Sequence, residues 1–432
     1  MLAAAMTAAV GEGEATRRWG PYGLAPALIL VSVAFLDGLE ANFIPGVLSL
    51  LQDEFGFGDT AAGAIPTAMA IAGLIVTLPA GYLTDRRPRT RLLAIVVASW
   101  SVLTIASGLA TAFWMFFGIR VVLGAAAHID NPAASSLITD FYPPDSRARV
   151  FALQRAAGYT GFALGVAIAG VLGEAFGWRA PFFVMMVPGL VVAALVWRLR
   201  EPRRGGLELG GDQFAAALAT GRAALFADLR AVWAVPSLRA IFAGVSVAFA
   251  GFNGLGYWLP SFWEREFDLS EGEAAALTGV LALIATVAGS WAGGVLGDRW
   301  HARSATGRID LAGRSLLIGG VLLAAGLSID VLAVQFPILI IAAVFLITGM
   351  PSYAAAVADV LPARRRGIGF ALFTFLVTVS SALGPFLVGA VSELTGSLQA
   401  ALVVGALPCI PGAFVLLRAR RTIEADTVAA RT

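Results

Sequence analysis

Gly81-Tyr82-Leu83-Thr84-Asp85-Arg86-Arg87-Pro88-Arg89-Thr90-Arg91 is a short, charged, turn-forming stretch set between two long apolar runs. It has an echo at Gly294-Val295-Leu296-Gly297-Asp298-Arg299, again between apolar runs, and both copies read G-x-L-x-D-R. An arginine-rich loop that joins two hydrophobic helices and recurs in the second half points to a duplicated membrane protein.

Composition points the same way. The 432 residues are 58% hydrophobic and only 13% charged, whereas soluble domains carry about 25% charged residues. Mean hydropathy is +0.82, which over this length implies many membrane spans. A formal net charge of +2 gives no basis for a nucleic-acid partner. All 30 cationic residues are arginine. The absence of lysine excludes a Walker A loop and a retinal Schiff base. Two histidines and one cysteine cannot build a Cys/His metal cluster, and no metal or cofactor is expected. Cys409 lies in an apolar run and has no partner in the chain for a disulfide. Arg17 and Arg18 precede a first span too long for a cleavable signal peptide.

Apolar runs of roughly 20 residues, each long enough to cross a bilayer core, occur near 23–51, 61–83, 91–111, 113–139, 148–173, 180–198, 239–262, 273–297, 312–330, 333–358, 367–391 and 397–417. The expected fold is therefore an all-α membrane protein with twelve transmembrane helices in two pseudo-symmetric six-helix bundles. The expected layout is a cytoplasmic tail (1–21), a first bundle (22–198), a linker (199–238), a second bundle (239–418) and a second tail (419–432). With both termini cytoplasmic, the outer loops hold only Arg179 and Arg265 beside acids such as Asp53, Glu54, Asp59 and Glu266. The remaining loop arginines then fall inside, as the positive-inside rule requires. The expected location is a bacterial inner membrane, and the expected state a monomer. In the linker, Phe214, Leu218, Leu225 and Leu229 mark one apolar face of a surface helix, or a helical turn or two within a solvated segment.

The duplication extends beyond the loops. Adding 219 maps Asp140-Phe-Tyr-Pro143-x-x-x-Arg147-x-x-x-Phe151-Ala152-Leu153 onto Asp359-Val-Leu-Pro362-x-x-x-Arg366-x-x-x-Phe370-Ala371-Leu372 without a gap. The two loops are offset by 213, which places about six inserted residues within 300–314.

On these residues the chain resembles the major facilitator superfamily of transporters over essentially its whole length. Gly81 to Arg91 resembles the superfamily's loop motif between spans 2 and 3. Within the superfamily, three stretches resemble Spinster-like lipid transporters: Leu36-Asp37, Tyr257-Trp258-Leu259-Pro260-Ser261-Phe262, and Leu383-Gly384-Pro385-Phe386-Leu387-Val388-Gly389. The chain departs from that pattern at Gly38 and Ala127, where those relatives carry Arg and Glu. The resemblance implies a proton-coupled secondary transporter that works by alternating access on a lipid-like amphiphile such as a lysophospholipid. The alternative is a transporter of small organic anions or drugs. Neither reading is enzymatic. The loop acids also take a role from the resemblance. Gly81, Asp85, Arg86, Arg89, Asp298 and Arg299 form conformational latches, with Asp85 docking near Gly367-Ile368-Gly369 and Asp298 near Arg147 to Arg149.

Charges inside a span are costly and are functional candidates by default. Asp37 and Glu40 lie three residues apart in span 1, and His128 and Asp130 lie in span 4. These four are the candidate proton-coupling residues, since desolvation favours the protonated form of a buried carboxylate and histidine titrates near neutrality. Glu40, nearer the outer end, reads alternatively as facing water, and His128 as a hydrogen-bonded core residue. Arg120 is expected to partner Asp37, with the alternatives that either Asp37 or Glu40 is its permanent partner in helix packing, or that it anchors a helix end. Arg120 and Arg155, with Asn42, Tyr159, Asn253 and Trp258, make up the expected substrate contacts.

Overall fold

A computed structural model describes residues 22–203, 222–362 and 365–431, and these are helical apart from short connections. Eleven of the described helical segments are long and apolar enough to cross a membrane. The first expected span is built differently. It runs as α1 (Ala25–Ala41), α2 (Phe43–Gly46) and α3 (Leu48–Phe55), broken at Asn42 and Val47. Pro45 has no N–H to offer the helix, and such positions interrupt the ladder.

The chain continues as α4 (Asp59–Arg86), α5 (Arg89–Gly108), α6 (Phe113–Ala127), α7 (Asp130–Phe141), α8 (Pro144–Phe176), α9 (Ala180–Val184) and α10 (Met186–Trp197). The second half holds α11 (Arg222–Ala234), α12 (Pro236–Phe267), α13 (Glu271–Arg303), α14 (Gly307–Leu327), α15 (Leu332–Thr348), α16 (Met350–Asp359), α17 (Arg366–Thr395), α18 (Leu398–Ala406), α19 (Cys409–Leu417) and α20 (Ile423–Arg431). Local chemistry sets several ends. Ser270 and Glu273 form a reciprocal capping box at the start of α13. Gly177 (φ 85°) and Gly396 (φ 69°), 219 residues apart, turn the chain at the ends of α8 and α17 in a backbone region that costs other residues strain.

The contacts divide the chain into two compact units, 1–55 with 68–219, and 56–67 with 220–432. In the first, α1 lies against α8 along a row of glycines. A Cβ on Gly161 would fall 2.1 Å from Phe35 O, one on Gly165 2.2 Å from Leu39 O, and one on Gly38 2.2 Å from Gly158 O. Small residues let membrane helices meet backbone to backbone. Gly38 thus stands where no side chain fits, which explains the missing arginine.

In the second unit, the end of the linker is not solvated. Val232 of α11 is buried in one cluster with Leu238, Ile241, Phe242, Val360 and Ile423 of α20. Arg365 binds Asp228 at 2.8 Å, and Asp426 of α20 accepts from Ser237 N–H at 2.9 Å, at the start of α12. Phe214 and Leu218 lie outside the described residues. Fully burying a residue such as Val232 or Ile423 contributes about 1.5–3 kcal/mol where water is the alternative.

Candidate functional site

In the first unit the intramembrane charges sort into two groups. Glu40 is 3% exposed. Its Oε1 accepts from Arg120 Nη1 at 2.5 Å and from the Thr104 hydroxyl at 3.1 Å. Arg120 is wholly buried, and its guanidinium lies 5.9 Å from the Phe116 ring centre and 5.6 Å from that of Phe182. Arg120 Nε and Nη2 have no hydrogen-bond partner among the described residues, so those faces are stabilised by the aromatic quadrupoles. The expected Arg120–Asp37 pair is therefore corrected to Arg120–Glu40. Arg120 lies two turns into α6 and Thr104 one turn from the end of α5, so both meet α1 at the level of Glu40, one turn beyond Asp37. The reading of Glu40 as a residue facing water falls with it.

Asp37 is half-buried and makes no ion pair among the described residues. The charges that act in its neighbourhood are acidic: Glu40 on Asp37, and Asp37 on Asp130. Asp130 is 6% exposed and opens α7, just after the break at His128 and Ile129. Its carboxylate takes the Asn131 N–H, at the favourable end of the α7 dipole. His128 Nδ1 lies 2.9 Å from Gly124 O. Its ring fills the space of an absent side chain, since a Cβ on Gly73 would fall 2.1 Å from that nitrogen. Asn42 donates to Gly38 O at 2.9 Å and finishes α1. Arg155, Tyr159 and Phe162 follow one another at helical spacing on one side of α8. Arg155 is exposed, Tyr159 is 49% exposed and Phe162 36%.

In the second unit Trp258, one of the expected substrate contacts, lies among buried side chains. It is completely buried, and its indole N–H donates to Pro385 O at 2.9 Å. Asn253 is exposed, with its amide donating to Ser381 O at 3.0 Å. Pro385 has no N–H for the carbonyl four residues back, so Asn253 satisfies the group that the proline orphans.

The loop residues also rearrange. Gly81 lies within α4, the side chain of Asp85 lies outside what the structure describes, and Arg86 and Arg299 are exposed. Arg89 is no loop cation. It is 1% exposed, pairs with Asp140, and binds Glu201 at 2.8 Å and the Ser136 hydroxyl at 2.8 Å. Burial raises the Glu201 carboxyl, but hydrogen bonds from Thr90 and Arg89 outweigh it and leave the pKa below the ordinary value. Arg308 pairs with Asp359 in the same way, each partner 219 residues on from Arg89 and Asp140. Asp298 lies 3.9 Å from Arg308 with its side chain 85% exposed. The sequence reading missed Arg308, although the 219 offset points to it. It also missed Thr104 and Glu201, which carry no local signal.

Helices of this length and hydropathy, with polar clusters held between them and one ion pair repeated at a fixed offset, define a multi-pass membrane protein built by duplication. The chain belongs to the major facilitator superfamily, whose family model matches residues 30–312. It is similar to Protein spinster of Drosophila melanogaster, 27% identical over 389 residues, covering 84% of this chain and 61% of that protein. It is 29% identical to Protein spinster homolog 1 of Homo sapiens over 243 residues, covering 55% and 45%. The chain thus spans about half to three fifths of the length of these relatives. The Hexuronate transporter of Bacillus subtilis (strain 168) is 22% identical over 405 residues, 92% of this chain and 94% of that one. Among solved structures, a bacterial homolog of the human lysosomal transporter Spinster, inward-facing and unoccupied, superposes with TM-score 0.83 at 22% identity, covering 94% and 98%. The fold is the major facilitator fold and the likeness is to its Spinster-like members. Family and fold are those of transporters, not enzymes.

Proposed function

We propose that this chain is a proton-coupled secondary transporter of an anionic, lipid-like amphiphile, working by alternating access with both termini cytoplasmic. The observation that carries the proton reading is the sorting of charges in the first unit. Arg120 neutralises Glu40, while Asp37 and Asp130 have no cationic partner among the described residues. Asp37 is the leading proton carrier, with Asp130 beside it. The amphiphile reading is supported by α8, where exposed Arg155 stands one turn from exposed Tyr159 and near Phe162. A cation flanked by apolar surface suits a charged head group with an attached chain. The likeness to Spinster proteins and the arginine pattern support the substrate class and the orientation. The likeness to a hexuronate transporter keeps small organic anions as the second reading.

Uptake into proteoliposomes with and without an imposed pH gradient, using a lysophospholipid and a hexuronate in parallel, tests this. Asp37→Asn is expected to abolish stimulation by the gradient while substrate binding persists. Arg155→Gln is expected to raise the half-saturation concentration for the anionic amphiphile. A full gradient response in Asp37→Asn moves the proton to Asp130. Uptake of the hexuronate alone selects the second reading.

A further inference from the structure

The two G-x-L-x-D-R copies end differently. In the first, α4 stops at Arg86, the residue after Asp85, and α5 starts at Arg89. In the second, α13 runs past Asp298 to Arg303, and α14 starts at Gly307. The residues inserted between Arg299 and Arg308 thus lengthen α13 by about one turn. The chain then doubles back tightly. Ser304 N–H donates to Trp300 O at 3.1 Å, and Gly307 N–H to Ser304 O at 2.9 Å. A Cβ on Gly307 would fall 2.0 Å from Trp300 O, so Trp300 lies against the first residue of α14.

The added turn is basic. Arg299 and Arg303 are exposed. They stand four residues apart on one helix face, a like-charge spacing that costs stability. Arg314 joins them from α14. Its counterpart at the 219 offset is Ile95, which is 54% exposed. An exposed apolar position within a candidate span therefore carries a cation in the second copy. Arg314 leaves α14 about 10 Å along the helix from Gly307. Helical side chains lean toward the N-terminus, and the Arg314 guanidinium lies 5.5 Å from the Trp300 ring centre. The charge thus returns to the helix end, as a snorkelling arginine does. Arg299, Arg303 and Arg314 have no acidic partner among the described residues. The neighbouring acids are committed elsewhere: Asp359 to Arg308, and Asp310 to Arg420 and the Thr306 hydroxyl.

We propose that the added turn of α13 and Arg314 bind the phosphate of one anionic phospholipid at the membrane surface, with Trp300 holding the Arg314 guanidinium at head-group level. An indole beside several cations that lack acids is complementary to an anionic head group. The proposed orientation makes this the cytoplasmic leaflet. The binding itself rests on the membrane class of the chain, and not on its orientation, its substrate or the proton.

Delipidated protein in detergent, titrated separately with dioleoylphosphatidylglycerol, dioleoylphosphatidylcholine and inorganic phosphate, tests this by native mass spectrometry and melting temperature. Phosphatidylglycerol is expected to bind one tight equivalent and to raise the melting temperature. Phosphatidylcholine and inorganic phosphate are expected to do neither. Arg314→Ile, which restores the residue type of the first copy, and Arg303→Gln, on the exposed turn, are each expected to weaken that equivalent about fivefold, the scale of one arginine at an anionic surface. Arg200→Gln, at an exposed position just after α10, is expected to leave it unchanged. Unaltered phosphatidylglycerol binding in both Arg314→Ile and Arg303→Gln overturns the proposal. An equal loss in Arg200→Gln also overturns it, because the charge would then act diffusely. Inorganic phosphate alone matching the effect of phosphatidylglycerol would remove the lipid as occupant.

Discussion

Arg120 and Glu40 pose a question that belongs to single side chains. Each removes the cost of burying the other, and neither has a comparable substitute. Breaking such a pair by deleting one partner destabilises by about 3–5 kcal/mol, because an uncompensated charge stays buried. Arg120→Ala is expected to lower the melting temperature in detergent sharply, and Glu40→Gln less, since the amide oxygen still accepts from Thr104 and Arg120. The apolar pair Glu40→Leu with Arg120→Met is expected to recover much of the loss. Equal melting of wild type and Arg120→Ala would show that the pair is not buried. Asp37, three residues from Glu40, has no such partner among the described residues. The sequence separated the two acids by depth alone and gave Arg120 to Asp37, whereas their difference lies in which neighbour reaches them.

Helix packing is where the glycines are tested. Gly158 and Gly161 both face α1 from α8, yet they differ. A Cβ on Gly158 would meet nothing closer than Ala34 O at 3.6 Å, ordinary contact, while one on Gly161 would overlap Phe35 O at 2.1 Å. Alanine is the better helix former by about 1 kcal/mol. Gly158→Ala is therefore expected to be neutral or mildly stabilising. Gly161→Ala is expected to force the helices apart at a cost of about 1–3 kcal/mol, the scale of an overpacked contact. Thermal denaturation of the two variants side by side checks this, and equal behaviour would contradict the close approach. The glycine spacing was legible beforehand as a packing surface. Which glycine touches which carbonyl depends on the rotation of each helix, which spacing does not set.

Across the molecule, the 219-residue offset relates contacts as well as sequence. Arg89–Asp140 recurs as Arg308–Asp359. Arg147 Nε donates to Tyr142 O at 2.7 Å, and Arg366 Nε to Leu361 O at 3.2 Å. One position changes sign between copies: Glu201, bound to Arg89, maps onto Arg420, which pairs with Asp310 at 2.8 Å. Arg89→Met and Arg308→Met are both expected to destabilise, the first more, because the Arg89 side chain is 1% exposed and the Arg308 side chain 19%. Limited proteolysis of each purified variant, scored for cuts in either half, reads the difference, and equal resistance would contradict it. The lowered Glu201 pKa adds a pH dependence. The folded form binds its proton less readily than the unfolded chain, so this contribution is full above pH 4.5 and is lost as pH falls below it through the lowered value. Its side chain is 30% exposed to solvent, and solvent screening keeps the contribution small.

The sequence alone determined the membrane class, the duplication and the family, because hydropathy, loop charge and a repeat offset are properties of position along the chain. The insertion within 300–314 was readable too, and Arg308, which pairs at the 219 offset, narrows it to the residues between Arg299 and Arg308. Only the tertiary structure decided that Arg120 meets Glu40, that Trp258 and Arg89 are buried, and that the start of α4 is gripped by α12 and α17. Each of those outcomes depends on the depth and rotation of helices separated by tens to hundreds of residues. A residue's periodicity says which face of its own helix it occupies. It does not say which face of another helix comes opposite.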